Sequence, residues 1–193
     1  TGLLLTDLVR HLSNQCGHQV TVICGVGSYE IAEHSDRPAA VIDRVPAVRF
    51  GRGRLNRLLS YATFYLGAAW RMLRAGREAD IIVTMTTPPL LSVVGHLVKM
   101  LYGTRHYIWE MDLYPDVAVD LGVLGERSLV TRLVGALGDY SRRRADGVIA
   151  LGACMRRRLI ARGVSADRIH IAHNWADGQR IHPPACRGIA DRL

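Results

Sequence analysis

One aspartate in this sequence is placed where a carboxylate could do chemistry. Asp112 follows an apolar segment at residues 106–109 and lies in a stiff turn that ends at Pro115. If that segment is a buried strand, Asp112 projects from the carboxyl edge of a sheet, where α/β proteins bind their ligands. We therefore predict Asp112 as a catalytic residue. The alternative role is a helix cap, for which Asp116 is better placed.

Two neighbours of Asp112 carry groups that could bind a substrate. Glu110 lies two residues before it, and Tyr114 lies two residues after it. Glu110 and Asp112 have an acidic-x-acidic spacing that could suit a divalent cation, but two alternate residues of one strand supply too few ligands. We therefore expect no metal and predict Glu110 and Tyr114 as substrate-binding residues.

Polar residues also follow two other apolar segments. Thr86 and Thr87 come after residues 81–84, and Asn174 comes after residues 169–172. The threonines precede two prolines and could simply cap the next helix, while an asparagine suits a structural hinge. Because all three lie at expected strand ends, we also predict them as substrate-binding residues.

Histidine and cysteine form no catalytic or metal-binding pattern. His96, His106 and His173 are isolated, and we predict structural roles for them. The four cysteines include no Cys-x-x-Cys pair, which indicates reduced thiols of a cytoplasmic protein. We expect no cofactor.

The charge of the sequence favours an anionic partner. Lys and Arg together number 25 against 17 Asp and Glu, which gives a net charge of +8, and Lys99 is the single lysine. Nucleic acid, phospholipid headgroups and phosphorylated substrates would each fit this balance. The arginines come without a groove-reading module or an aromatic stacking platform, so we expect no nucleic-acid binding.

Arginines also flank a segment that could contact a membrane. Residues 58–70 carry no charge, are too few to span a bilayer and include four aromatic side chains. Such a segment is typical of a helix at an anionic membrane surface, and equally of a crossover helix with solvated ends. Two arginine triplets follow at 142–144 and 156–158. The predicted contacts with a membrane or an acceptor phosphate are Arg54, Arg57, Arg71, Arg74, Arg142, Arg143, Arg156 and Arg157.

Short apolar runs alternate with amphipathic stretches along most of the chain. The apolar runs predict strands at residues 20–23, 41–50, 81–84, 106–109, 148–151 and 169–172. Helical periodicity predicts helices at residues 3–14, 55–74, 90–101, 128–144 and 153–162. This alternation predicts an α/β fold with an open, mainly parallel Rossmann-like sheet and helices on both faces.

The sequence predicts one domain at residues 1–176. Periodicity is lost at 177–193, which contains Pro183 and Pro184 and suggests a linker. The chain begins on the first predicted helix. Because the strand before that helix is normally central, we expect it to be missing and the sheet to have a gap in its middle.

Five segments resemble, in order, the N-terminal domain of family 4 glycosyltransferases of the GT-B fold. The likeness covers nearly the whole chain and is strongest to the subgroup that builds bacterial surface polysaccharides. The segments are TDLVRHL at 6–12, GHQVTV at 17–22, TMTTPPL at 84–90, WEMDLYPD at 109–116 and IHIAHNWAD at 169–177.

The resemblance implies a retaining, metal-independent transfer of a sugar from a nucleotide-sugar donor to a glycan acceptor, which in this subgroup is lipid-linked. It also implies that this domain supplies the acceptor side and that residues 177–193 lead to an absent donor-binding domain. The chain is then expected to be inactive alone and cytoplasmic, with possible peripheral contact at the inner face of the plasma membrane. The alternative is a non-catalytic acceptor- or membrane-binding subunit that pairs with a separate donor-binding protein.

Overall fold

The computed structural model describes residues 2–25, 40–46 and 54–176, with only the backbone described for 54–58. The helices are α1 (Gly2–Arg10), α2 (Arg54–Ala75), α3 (Leu91–Tyr102), α4 (Asp116–Asp120), α5 (Leu129–Arg144) and α6 (Ala153–Ala161). The strands are β1 (Thr21–Gly25), β2 (Val41–Val45), β3 (Ile81–Met85), β4 (Arg105–Trp109), β5 (Gly147–Ala150) and β6 (Ile169–Ile171). A π-helical turn at His11–Gln15 extends α1, and a 3₁₀ turn at Ala166–Arg168 precedes β6. The predicted alternation of strands and helices is therefore confirmed.

The described strands are all parallel and form two sheets. One sheet pairs β1 with β2, and the other has the order β3-β4-β5-β6. The sequence predicts a single sheet with a gap, and in the described residues no hydrogen-bonded strand joins β1 to β3. Helix α2 bridges the gap, because it packs against β1 and β2 as well as against α3.

The core lies on the four-stranded sheet. Ile108, Val148 and Ala150 are fully buried in its central strands, and Leu159 of α6 packs against them. Burial on both faces is what the continuous apolar runs predict for a parallel sheet. Residues from the loops that follow complete this cluster, among them Leu113.

The predicted helix boundaries agree closely with those of the structure. The Ser128 hydroxyl accepts a hydrogen bond from the Thr131 amide at 3.1 Å and so caps α5. Gly103 ends α3 with a φ of 74°, which a residue without a side chain adopts without strain. Thr86 and Thr87 do not cap α3, because the helix begins after Leu90 and has no side-chain cap. That interpretation of the threonines is wrong.

Two of the three isolated histidines lie in the interior. The His106 imidazole is fully buried, and its Nε2 lies 2.8 Å from the Thr84 hydroxyl. It fits against α3 because Gly95 has no side chain; a Cβ there would lie 2.3 Å from that nitrogen. Burial lowers the pKa of His106 to about 4. An imidazole held neutral in this way fits the predicted structural role.

In the described part of the chain, every helix is too short or too polar to cross a bilayer. Residues 177–193, predicted as a linker, lie outside the described residues.

Candidate functional site

The carboxyl edge of the four-stranded sheet gathers the predicted catalytic and substrate-binding residues. Because the four strands are parallel, the loops that follow β3, β4 and β6 leave from this one edge. Thr86 follows β3, Asp112 follows β4 and Asn174 follows β6. The three side chains predicted from separate motifs therefore share one rim of the sheet, as an open α/β sheet requires of a ligand site.

Thr86 holds the backbone that carries Asp112. Its buried hydroxyl accepts hydrogen bonds from the amide of Met111 at 3.0 Å and from the amide of Asp112 at 3.2 Å. These two bonds tie the loop after β3 to the loop after β4. Thr86 thus acts as a positioning residue, whereas Thr87, the next residue, is exposed and open to a ligand.

The Asp112 side chain is half-buried at the rim. Among the described residues its carboxylate makes no hydrogen bond or ion pair, although its backbone is held by Thr86. The Tyr114 ring lies close enough for their charges to interact: burial raises the pKa of the Tyr114 hydroxyl, and the Asp112 carboxylate raises it further. Because its backbone is held and its carboxylate has no partner among the described residues, Asp112 is suited to accept a proton from a substrate hydroxyl.

Helix α2 contributes two tyrosines from the segment for which the sequence analysis left a membrane-surface helix and a crossover helix equally open. The Tyr65 hydroxyl donates a hydrogen bond to the carbonyl of Pro89, in the loop after β3. Burial raises the pKa of Tyr65, and the neighbouring Tyr61 and Tyr114 add to the shift. These contacts place one side of α2 against the site, which helical periodicity alone did not indicate.

Glu110 and Arg142 form a buried ion pair beneath the Asp112 loop. Arg142 Nε lies 2.6 Å from Glu110 Oε1, and the two side chains are 4% and 1% exposed. Arg142 also donates to the carbonyl of Tyr114 at 3.3 Å and to Asp139 at 3.0 Å. Burial raises the pKa of the Glu110 carboxyl, and the Arg142 guanidinium opposes that shift.

This pair corrects two of the predicted roles. Glu110 was expected to bind substrate and Arg142 to contact a membrane or an acceptor phosphate, but both lie in the interior and satisfy each other. The reason is the phase of α5: Arg142 follows Ser141 on the buried side of the helix, while Arg143 and Arg144 are exposed. A run of arginines in sequence therefore does not form one surface.

The ion pairs continue from Arg142 to the next helices. Asp139 pairs with Arg162 at 3.0 Å, and Arg162 donates to Asp116 in α4. These successive ion pairs therefore connect the loop after β4 to α4, α5 and the end of α6. Sequence reasoning missed this network because its members are far apart along the chain.

Asn174 lies exposed on the rim beside a stacked pair of tryptophans. The rings of Trp109 and Trp175 lie 6.0 Å apart and 17° from parallel. Trp175 Nε1 donates to Asp7 of α1 at 3.2 Å. This stacking fixes the segment after β6 against the end of β4 and leaves the Asn174 side chain accessible.

The remaining predicted arginines lie away from this rim or have local partners. Arg71 pairs with Asp43 at 2.8 Å, and Arg74 is exposed. Arg54 and Arg57 belong to the first turns of α2, where side chains are outside the described residues. The other three donate to nearby acceptors: the exposed Arg143 to the Arg162 carbonyl, the half-buried Arg156 to the Ala166 carbonyl and the exposed Arg157 to the Cys154 sulfur.

Comparison with known proteins matches residues 3–175 to the family described as "Glycosyl transferase 4-like domain". Two relatives are named as glycosyltransferases. WbjE of Pseudomonas aeruginosa, a probable glycosyltransferase by its name, is 24% identical over 139 residues, which are 70% of this chain and 35% of that protein. WcaI of Escherichia coli (strain K12), whose name places it in colanic acid biosynthesis, is 24% identical over 194 residues, covering 93% of this chain and 47% of WcaI. The chain thus spans about a third to a half of the length of these relatives.

Two crystal structures share the fold. Anabaena Alr3699/HepE, in complex with UDP and glucose, superposes with a TM-score of 0.54 and 15% identity, covering 91% of this chain and 41% of that one. LpCGTa, in complex with UDP, has a TM-score of 0.55 and 12% identity over 90% of this chain and 52% of its own. These matches confirm the predicted α/β fold of the GT-B class.

Proposed function

Because the chain belongs to the glycosyl transferase 4-like family, we propose that it is the acceptor-side domain of a retaining glycosyltransferase. The enzyme would move a sugar from a nucleotide-sugar donor to a lipid-linked glycan acceptor during the synthesis of a surface polysaccharide. WcaI, by its name, serves such a pathway, and Alr3699/HepE binds UDP and glucose in its crystal. These relatives support the donor class and the type of product.

The half-exposed carboxylate of Asp112 carries the proposal. Thr86 holds its backbone, and no described side chain neutralises it. In the proposed reaction the acceptor hydroxyl gives its proton to Asp112, and the acceptor oxygen bonds to the anomeric carbon of the donor sugar on the face from which the diphosphate leaves, so that the configuration is retained. The bond from that carbon to the diphosphate breaks, and the nucleoside diphosphate leaves with the electron pair.

Thr87, Tyr114 and Asn174 are the proposed contacts to the acceptor. Thr87 and Asn174 are exposed on the rim, and Tyr114 lies two residues after Asp112 in the same loop. Hydroxyl and amide groups in such positions can hydrogen-bond to sugar hydroxyls. The donor would be held mainly by a second domain, as the resemblance to two-domain enzymes implies.

The test is sugar transfer by the protein that contains this chain. Labelled nucleotide-sugars and a membrane extract as the source of acceptor would be used, and label entering the lipid fraction would be measured. Asp112→Asn is expected to lower kcat by about a hundredfold or more, because general acid-base groups contribute on that scale. Asp120→Asn, which changes an exposed carboxylate at the end of α4, is the matched control and should leave kcat unchanged.

Full activity of Asp112→Asn would contradict the proposed role of this carboxylate. A wild-type protein that retains acceptor lipid but transfers none of the nucleotide-sugars would instead favour the non-catalytic binding subunit.

A further inference from the structure

The loop that carries Asp112 is held at both of its ends by side chains of other elements. It spans residues 110–115, between β4 and α4. Near its start, the Thr86 hydroxyl accepts two backbone amides of the loop at 3.0 and 3.2 Å. Just beyond its end, the carboxylate of Asp116 accepts a hydrogen bond from the guanidinium of Arg162, the residue that follows α6. The path of the loop is therefore set by one contact at each end.

The Asp139 carboxylate of α5 orients Arg162. Arg162 Nη1 lies 3.2 Å from Asp139 Oδ1 and 3.0 Å from Asp139 Oδ2, while its Nη2 donates to Asp116. Asp139 Oδ1 also accepts from Arg142, which donates to the Tyr114 carbonyl within the loop. Because a guanidinium is a rigid planar fork, fixing one of its nitrogens fixes the direction of the other. Arg162 is thus oriented before it meets Asp116.

The Asp112 carboxylate depends on this support. Among the described residues it makes no hydrogen bond or ion pair, so its place at the rim is set by its backbone, which Thr86 holds. Asp116 lies four residues further along the chain, at the start of α4. A misplacement of about 1 Å can lower the rate of an enzyme by about a hundredfold. A residue that fixes Asp116 can therefore affect the reaction without meeting the substrate.

The ion pairs of Arg162 are poorly placed to serve stability alone. Asp116, Asp139 and Arg162 are 25%, 18% and 25% exposed, and they line an open groove of about 610 Å³ between α4, α5 and α6. Ion pairs that water can reach contribute little to the free energy of unfolding. Shortening Arg162 would enlarge a groove that is already open, and would leave the core intact. We therefore expect a change at Arg162 to affect the loop more than the stability of the fold.

We propose that Arg162 is a positioning residue for catalysis by Asp112. Through Asp116 it fixes the end of the loop, as Thr86 fixes its start. The inference rests on the proposed function, in which Asp112 takes the proton of the acceptor. Arg158 supplies a matched control, because it lies on the same groove but is 63% exposed and 3.9 Å from Asp116, too far for a hydrogen bond.

The first measurement is sugar transfer by the protein that contains this chain, in the assay proposed for Asp112→Asn. Arg162→Gln and Asp116→Asn are each expected to lower kcat by about tenfold through the displaced loop. The KM for the nucleotide-sugar should stay unchanged, because the loop belongs to the acceptor side. The two changes together should lower kcat no further than either alone, since both remove one contact. Arg158→Gln should keep the wild-type kcat.

A second comparison shows whether Arg162 acts through Asp112. In a protein that already carries Asp112→Asn, Arg162→Gln should cause no further loss of kcat, because the carboxylate that it positions is gone. A general weakening of the fold would instead lower the remaining activity again. Urea unfolding establishes that each variant has a midpoint close to that of the wild type.

Hydrogen–deuterium exchange tests the hold on the loop without any substrate. In the same protein, Arg162→Gln and Asp116→Asn should raise the exchange rate of a peptide covering residues 111–117 by about tenfold, because the loop opens more often. Arg158→Gln should leave this peptide unchanged, and a peptide covering β5 should exchange as in the wild type in all three variants.

Wild-type exchange of the loop in a folded Arg162→Gln protein would overturn the inference. A further loss of kcat on top of Asp112→Asn would also overturn it, as would an equal loss in Arg158→Gln. If Arg162→Gln does not fold, Asp116→Asn decides by the same measurements. Full activity of Asp112→Asn, together with faster loop exchange in Arg162→Gln, would contradict the proposed function while confirming that Arg162 holds the loop.

Discussion

Arginines of a single triplet are found in two regions with opposite physical character. At the carboxyl edge, Arg142 is buried among Glu110, Asp139 and the Tyr114 carbonyl, where it holds the loop of the candidate catalytic carboxylate. On the solvent side of the same helix, Arg144 is exposed and its guanidinium lies 5.6 Å from the centre of the Tyr140 ring. The phase of the helix, and not the local charge of the sequence, therefore decides whether an arginine is buried in the fold or exposed to solvent.

The largest expected change in the free energy of unfolding follows from replacing Arg142, the buried arginine. Arg142→Gln leaves the Glu110 carboxylate buried without its partner, and we expect the free energy of unfolding to fall by about 3–5 kcal/mol. Arg144→Gln, two residues away but exposed, should change it by less than about 0.5 kcal/mol. Urea unfolding followed by circular dichroism measures both values.

A double variant checks the cause of that loss. Glu110→Gln combined with Arg142→Gln removes both charges, so it should be more stable than Arg142→Gln alone. Equal stability of Arg142→Gln and Arg144→Gln would break the comparison, because the two arginines would then be energetically alike.

The His106 imidazole, buried between β4 and α3, also gives a pH dependence. His106 has a folded pKa of about 4 against an ordinary value of 6.5, so the unfolded chain binds a proton more readily. Its contribution to stability is present above pH 6.5 and is lost as the pH falls; at pH 4 the loss amounts to about 3 kcal/mol. Urea unfolding at several pH values from 7 to 4 should show this loss.

Two variants assign the pH effect to this imidazole. His106→Gln, which keeps an amide near the Thr84 hydroxyl, should flatten the dependence, whereas His170→Gln at an exposed position should not. If the wild type and His106→Gln lose stability in parallel, the effect arises from other groups.

The smallest expected effect compares two adjacent threonines on the rim. Thr86→Val removes the oxygen that accepts the amides of Met111 and Asp112, and we expect a loss of about 1–2 kcal/mol in the free energy of unfolding. Thr87→Val, at the exposed neighbour, should stay within about 0.5 kcal/mol of wild type. A Thr86→Val protein as stable as Thr87→Val would show that these hydrogen bonds do not hold the loop.

The elements of the fold were largely predictable because buried parallel strands need unbroken apolar runs. The run at residues 106–109 became β4 (Arg105–Trp109), and that at 148–151 became β5 (Gly147–Ala150). The start of α3 was predicted within one residue, but the role of Thr86 was not: it was considered as a substrate contact or a helix cap, and its hydroxyl instead holds the next loop. Local sequence patterns indicate whether a segment is helix or strand. They do not indicate which distant backbone amide will donate a hydrogen bond to a side-chain hydroxyl.

The candidate site was only partly predictable for the same reason. Parallel topology follows from alternating strands and helices, so Asp112, Thr86 and Asn174 could be placed on one rim in advance. The pairing of Glu110 with Arg142 could not, because 32 residues separate them and each also fits an exposed functional role.

The order of strands and helices, the fold class, the family resemblance and the edge at which Asp112 emerges could all be inferred from the amino-acid sequence. All of these depend on periodicity and on residue types that lie close together along the chain. The inward position of Glu110 and Arg142, and the hydrogen bonds by which Thr86 holds the Asp112 loop, became apparent only in the packed fold. Those outcomes depend on how elements pack across long separations, where burial and the rotation of each helix choose the partners.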